Sequence, residues 1–246
     1  MIKNKRSLEE AKSIFYEKYH NNYASIGEYQ EKAIHFILKN YFENDNALME
    51  VKLDGMIVDI YNEEGIIEIQ TKSFDRLRNK LEKFLDKYPL TIVYPLINSK
   101  RITWLNSENN ADYNRKSPLH MNVFNSFKEL YKIKNYLKHK NLHFCFVFLN
   151  VIEIKNLDGY GKDKKKKASS LNKLPIDIEK ILYFDSFEDF KNIFDGTENE
   201  FTSRDLSKMK KVKLRDAQVA LTVLNYLEIV ERIGKQERSY VYKVKK

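Results

Sequence analysis

Asp59 and the run Glu68-Ile69-Gln70 are the residues whose types and spacing can do chemistry. Met56-Ile57-Val58-Asp59-Ile60-Tyr61 and Ile66-Ile67-Glu68-Ile69-Gln70 read as strands, and each carries one carboxylate in an apolar run. Side chains alternate along a strand, so Glu68 and Gln70 share one face while Ile67 and Ile69 take the other. A hairpin can bring Asp59 beside Glu68. A charge on a mostly buried strand is costly unless it is paired or holds a cation, and oxygen donors suit Mg2+ or Mn2+. Such an ion binds a phosphodiester oxygen, lowers the pKa of a bound water and stabilises the charge that builds on phosphorus. That is the chemistry of hydrolysing a nucleic-acid backbone.

The elements that must position these residues follow from periodicity. Helical stripes predict helices over 7–20 and 27–43, the second with Ala33, Ile34, Ile37, Leu38, Tyr41 and Phe42 on one side. Strands are predicted from Leu48 to Lys52, Met56 to Tyr61 and Gly65 to Thr71, separated by Asp54-Gly55 and by Asn62-Glu63-Glu64-Gly65, both turn signals. Asp54 is assigned to its turn. A helix over 73–86 ends before Pro89, and Thr91-Ile92-Val93-Tyr94 is a buried strand. Helix, three-strand meander, helix, strand describes a compact α/β unit. Further on, 102–106 reads as a short strand, 124–139 as a helix, 142–155 as one long strand or two, and 156–174 as a flexible loop containing Lys164 to Lys167.

Asp59 followed by Glu68-Ile69-Gln70 resembles the Asp and (Asp/Glu)-x-Lys signature of PD-(D/E)XK nucleases. The helix beginning Gly27-Glu28-Tyr29-Gln30-Glu31 is similar to the glutamate-bearing first helix of the Holliday-junction-resolvase branch. The resemblance covers about residues 25 to 95. It implies a restriction-endonuclease-like core in which Asp59 and Glu68 are metal ligands and Glu31 or Glu28 is a third acid. Glu31 is preferred, because it continues the stripe of Ile34 and Leu38. Gln70 departs from the pattern: an amide can orient a water or contact a phosphate but brings no positive charge. Lys72, two positions on, or Lys52, on the first strand, can substitute for that charge. Glu50-Val51-Lys52 also reads as Glu-x-Lys, but no partner acid precedes it on a strand. Taken singly, each of these residues is also an ordinary strand solubiliser.

Residues 201–246 hold twelve Lys or Arg against five Asp or Glu. Thr202 or Ser203 caps a helix through Lys211, a second helix runs from Leu214 to Leu227, and a hairpin follows from Val230 to Ile233 and Tyr240 to Val244 with its turn at Gly234-Lys235. That order resembles a winged helix. The resemblance implies a second helix entering the DNA major groove through Lys213, Arg215 and Gln218, with Lys235, Arg238 and Tyr240 touching the backbone. A winged helix that docks on protein is the other reading.

Length and charge bound the rest. The chain has 246 residues and a formal net charge of +9, with 44 Lys and Arg against 35 Asp and Glu, which favours a polyanionic partner such as double-stranded DNA. The expected division is a nuclease-like part over 1–155, a basic connecting segment over 156–200 and the winged helix over 201–246. Cys145, the single cysteine, lies in an apolar run, which leaves no disulfide or cysteine zinc site and reads as a buried small hydrophobe. The five histidines lack metal-ligand spacing and are assigned to surface or core. No window approaches a membrane span, so a cytoplasmic protein is expected. The nuclease resemblance also admits a homodimer. Two functions stand at this point: a Mg2+-dependent endodeoxyribonuclease, and a DNA-binding or adaptor protein on a nuclease fold that has lost turnover, an alternative that Gln70 keeps open.

Overall fold

The computed structural model describes residues 2–19, 33–105, 111–156, 169–194 and 200–245. Helix α1 (Leu8–Lys18) opens on a reciprocal capping box, in which the Glu10 amide donates to the Ser7 hydroxyl and the Ser7 amide donates to the Glu10 carboxylate. Helix α2 (Ala33–Phe42) buries Ala33, Ile34, Phe36, Ile37, Leu38 and Phe42. The Arg6 guanidinium donates to the carbonyls of Asn40, Glu43 and Asn44, a cation closing the end of that helix.

Strands β1 (Met49–Leu53), β2 (Met56–Asn62) and β3 (Gly65–Ile69) form the expected antiparallel meander. Asp54 and Gly55 take φ of 45° and 84°, the two-residue hairpin geometry whose twist matches its strands. The expected helix over 73–86 is a 3-10 turn, Phe74–Leu77, running into α3 (Arg78–Phe84).

The two short strands expected at 91–94 and 102–106 are one strand of 16 residues, β4 (Leu90–Leu105). The polar residues between them are paired rather than looped out: Asn98 and Ser99 donate to Asn150, and Lys100 and Arg101 sit opposite Ser117 and Lys116 of an unforeseen strand, β5 (Ala111–Ser117). The helix expected over 124–139 is a 3-10 turn (Val123–Ser126), a short α4 (Phe127–Leu130) and a second 3-10 run (Tyr131–Tyr136), broken at Ile133 by φ −114° and ψ 22°. Strand β6 (Leu142–Asn156) is single. The loop assigned to 156–174 gives way at Ser169 to β7 (Ser169–Phe184), a strand that accommodates Pro175 because it lies at the end of the sheet order. Lys164 to Lys167 lie outside the described residues.

A 3-10 run (Phe187–Phe194) leads to β8 (Phe201–Thr202), α5 (Ser203–Met209), α6 (Leu214–Tyr226), β9 (Val230–Gln236) and β10 (Ser239–Val244). The hairpin reverses at Glu237-Arg238, with Glu237 at φ 53°, and not at Gly234-Lys235, which lie within β9. A bulge around Ile233 absorbs the glycine and lets the strand run on. Among the described residues one sheet has seven strands in the order β1-β2-β3-β4-β6-β7, with β5 on β4, and a second has the order β8-β10-β9. The architecture is mixed α/β, and no helix is long and apolar enough to cross a membrane among the described residues.

Two compact units divide the chain: Met1–Thr71, Val93–His120 and Val147–Ile181 in one, and Lys72–Ile92, Met121–Phe146 and Leu182–Lys246 in the other. In the first, α1 and α2 bury Phe15, Phe36 and Ile37 with Ile154 of β6 and Leu174 of β7, the Phe15 and Phe36 rings lying 5.6 Å apart. The second is built on a run of aromatic rings, Phe144, Phe146, Phe184, Phe190, Phe127, Phe124, Phe194 and Phe201, each in edge, tilted or stacked contact with a neighbour. Cys145 is buried as expected, and burial pushes its thiol pKa far up, so it packs as an apolar group.

Thr202 and Asp205 form the capping box of α5, with the Thr202 hydroxyl donating to Asp205 at 2.7 Å and the Asp205 amide returning to that hydroxyl. Thr202→Ala is therefore expected to cost about 1 kcal/mol of unfolding free energy, read from chemical denaturation.

Candidate functional site

Asp59 sits on β2, whose ladder with β3 pairs Asn62 with Gly65, Tyr61 with Ile66 and Ile60 with Ile67. The pairs end at Ile60 and Ile67, and one further step of the same register would set Asp59 level with Glu68. At this step a side chain takes over from the backbone: the Ile69 amide donates to Asp59 Oδ2 at 2.8 Å. The same oxygen lies 3.2 Å from His35 Nε2, on α2. Asp59 is thus oriented by a strand amide and a helix imidazole, with 19% of its side chain exposed.

Glu68 is only 4% exposed, and every residue of β3 is buried. Both faces of this strand are covered, so the expectation of an apolar face opposed to a polar one understates how enclosed it is. Gln70 follows the last residue of β3, its backbone amide donating to the Val93 carbonyl of β4 at 2.9 Å. Lys72 does not continue the strand alternation that would align it with Glu68 and Gln70. Strand β3 ends at Ile69, and Thr71 and Lys72 form a bend with Lys72 exposed. Lys52 is exposed on β1. Glu28 and Glu31 lie outside the described residues.

Two residues on α2 and one on β1 join this picture. His35 is the helix group that meets Asp59. One turn on, Lys39 is buried and pairs with Glu50. Glu50 lies between Met49 and Val51, whose partners are Ile60 and Val58, so the register sets it across from Asp59 on the other side of β2. Its φ of 53° marks a local distortion of β1. By interpolation in the β1–β2 register and one step of extension in the β2–β3 register, Glu50, Asp59 and Glu68 fall at one level of the three strands, and α2 supplies partners to the first two. The i, i+4 spacing of His35 and Lys39 was the available signal for this, and it had no meaning until the strand register was known.

Carboxylate oxygens suit a hard divalent ion. Among the described residues no group of three or more His, Cys, Asp or Glu is placed to hold one, so the donor set stops short with Asp59 and Glu68. Other buried acids are accounted for structurally. Glu43 accepts from the Asn44 and Asp45 amides and from Asn62, and Glu129 accepts from the Phe74 amide and Lys132.

Glu153 of β6 accepts from Lys100 and from Ser170. Burial pushes its pKa up, but the hydrogen bonds from Lys100 and Ser170 and the charge of Lys100 outweigh that, holding it below the usual carboxylate range. A folded pKa below the unfolded one gives stability that is present above the unfolded value, near 4.3, and is lost as pH falls through the folded value. Glu153→Gln is expected to flatten that acid limb in thermal melts taken from about pH 6 to about pH 3.

In the C-terminal region α6 buries Ala217, Ala220, Leu221, Val223 and Leu224, while Lys213, its N-cap, and Arg215 and Gln218 are exposed. Strand β9 is exposed from Glu231 to Gln236, and Arg238 is exposed in the turn. Every side chain assigned a basic or polar role here is thus open to solvent.

An uncharacterized protein of Treponema pallidum (strain Nichols) is 31% identical over 169 residues, 68% of this chain. The chain spans 65% of that relative's length. No solved structure matches. Residues 32–185, from the start of α2 through β7 and including His35, Asp59, Glu68 and Gln70, match a family model. That match covers more than half of the chain, which therefore belongs to the family described as Domain of unknown function (DUF8091).

Proposed function

We propose that this chain is a metal-dependent endodeoxyribonuclease of PD-(D/E)XK type, with duplex DNA held by its basic C-terminal helices and hairpin acting as a winged helix. What supports the reading is that Asp59, held by the Ile69 amide and His35, lies one register step beyond the last β2–β3 pair, level with the buried Glu68 of the next strand. It stands in the helix, meander, helix, strand order of that superfamily. Asp59 and Glu68 would hold Mg2+ or Mn2+, with Glu31 as a further acid. Bound there, the ion supplies Lewis acidity toward a phosphodiester oxygen and a more acidic water. The chain's own groups do the positioning. The Ile69 amide and His35 fix the Asp59 carboxylate, and the Gln70 amide orients a water or a phosphate oxygen. Exposed Lys213 at the N-cap of α6 and Arg215 and Gln218 on it contact the duplex, with Lys235 and Arg238 of the hairpin on its backbone.

A second reading, a DNA-binding protein without turnover, is favoured by the commitment of Asp59 Oδ2 to two protein donors and by glutamine at position 70. Supercoiled plasmid incubated with the protein and Mg2+ or Mn2+ separates the two. Nicking that EDTA stops is the result expected of the nuclease. Retention of the plasmid on a gel without any nicking, in either metal, rejects turnover and leaves the binder.

A further inference from the structure

The tip of the β9–β10 hairpin carries an arrangement that neither charge nor periodicity revealed. Lys235 sits opposite Tyr240, and after the bulge Arg232 sits opposite Tyr242. Residues opposite one another in an antiparallel ladder share a face, as do Tyr240 and Tyr242 two apart on one strand. In a regular strand, positions 232 and 235 would point to opposite sides. The extra residue at Ile233 turns them to the same one. The result is a single face that is apolar at its root, where Val230 and Tyr242 are buried, and cationic at its tip, where Tyr240 is 43% exposed.

Ring contacts then hold the cations. The Arg232 guanidinium lies 4.4 Å from the Tyr240 ring centroid and the Lys235 ammonium 5.0 Å from it, and Arg232 also lies 5.8 Å from the Tyr242 ring. A Cβ at Gly234, between them in sequence, would meet nothing within 4 Å, so the hairpin here is open. Long cationic side chains ordinarily lose rotamer freedom when they bind, and a ring that already restrains two of them removes part of that cost. Guanidinium and ammonium groups both bind phosphate oxygens, and two of them gathered on one ring present a pair of phosphate contacts.

We infer that Arg232, Tyr240 and Lys235 form a preorganised phosphate clamp for a DNA backbone, with Tyr240 a positioning residue and the two cations the contacts. This rests on the DNA-binding reading above and deepens it. Arg232 enters as a contact, and Tyr240 changes from a contact to the group that spaces its neighbours.

The experiment is binding of the full chain to a fluorescein-labelled duplex, followed by anisotropy across a KCl series. Arg232→Gln and Lys235→Gln are each expected to lower the slope of log affinity against log salt by about one. Tyr240→Leu removes no charge, so it is expected to leave that slope intact while weakening binding about fivefold. Tyr240→Phe keeps the ring and should match the wild type. The exposed position makes folding of all four variants checkable by their melting curves. A Tyr240→Leu protein that binds as tightly as wild type, or slopes unchanged in both cation variants, overturns the clamp while leaving DNA binding in place. A wild type with no salt-sensitive duplex binding overturns the DNA-binding reading itself.

Discussion

Asp59→Asn is expected to slow metal-dependent nicking by on the order of a hundredfold while leaving the fold nearly as stable as the wild type. The choice of asparagine matters. Its side-chain oxygen can still accept from the Ile69 amide that Asp59 Oδ2 now engages at 2.8 Å, so the β2–β3 junction keeps its hydrogen bond and only the charge is lost. Asp59→Ala would confound the two effects, because an amide left without an acceptor costs about 1 to 3 kcal/mol. Glu68→Gln should lose activity similarly, since the carboxylate charge goes and the volume stays. His35→Gln, acting on the partner rather than on the acid itself, should cost less. Initial nicking rates, with a melting curve for each variant, supply the measurement. Equal rates in wild type, Asp59→Asn and Glu68→Gln would remove these acids from any cleavage mechanism.

The second large effect concerns stability. Phe190 is fully buried, and its ring centroid lies 4.7 Å from that of Phe184, 5.4 Å from Phe127, 5.9 Å from Phe144 and 6.3 Å from Phe146. Those partners come from β7, α4 and β6, so one ring on a 3-10 run ties three separate elements. Phe190→Ala removes the apolar burial, the edge-to-face contacts and the filling of a volume that rigid strands cannot close. A loss of about 3 to 5 kcal/mol is expected from urea unfolding. Against a total stability of about 5 to 15 kcal/mol, that is between a fifth and the whole of what holds the fold together. Phe190→Leu, which keeps most of the volume, should cost markedly less. A loss below about 1 kcal/mol for the alanine variant would mean that the aromatic run is not the core of its unit.

Local chemistry carried much of the first hundred residues into structure unchanged. Apolar stripes at helical spacing marked α1 and α2, alternating runs marked β1, β2 and β3, and Asp54-Gly55 marked a turn that only small or turn-forming residues enter at positive φ. The same is true of α5 and α6, whose stripe and Thr202 cap are local signals. Elements failed to show where their stability comes from partners. Polar Asn98 to Arg101 reads as a break until β5 and β6 are beside it. The lysine- and proline-containing stretch of β7 becomes a strand only by pairing at the edge of the sheet.

The candidate site divides along the same line. That Asp59 and Glu68 are acids in apolar strands, and that a hairpin joins those strands, was determined by residue order alone. Which side chains meet them was not. His35 and Lys39 carried no distinguishing pattern in sequence, because a helix position acquires a partner only once α2 is laid against particular strands, and Glu50 became a neighbour of Asp59 only through the register of β1. The hairpin tip repeats the lesson. The composition of residues 201–246 announced a basic region, whereas the alignment of Arg232 with Lys235 depended on one extra residue in β9 that turned the strand's alternation by a step. Periodicity and turn chemistry act between residues close in the chain, so sequence determines them. Register, bulges and helix docking are settled by contacts between segments far apart, and only the tertiary structure decides those.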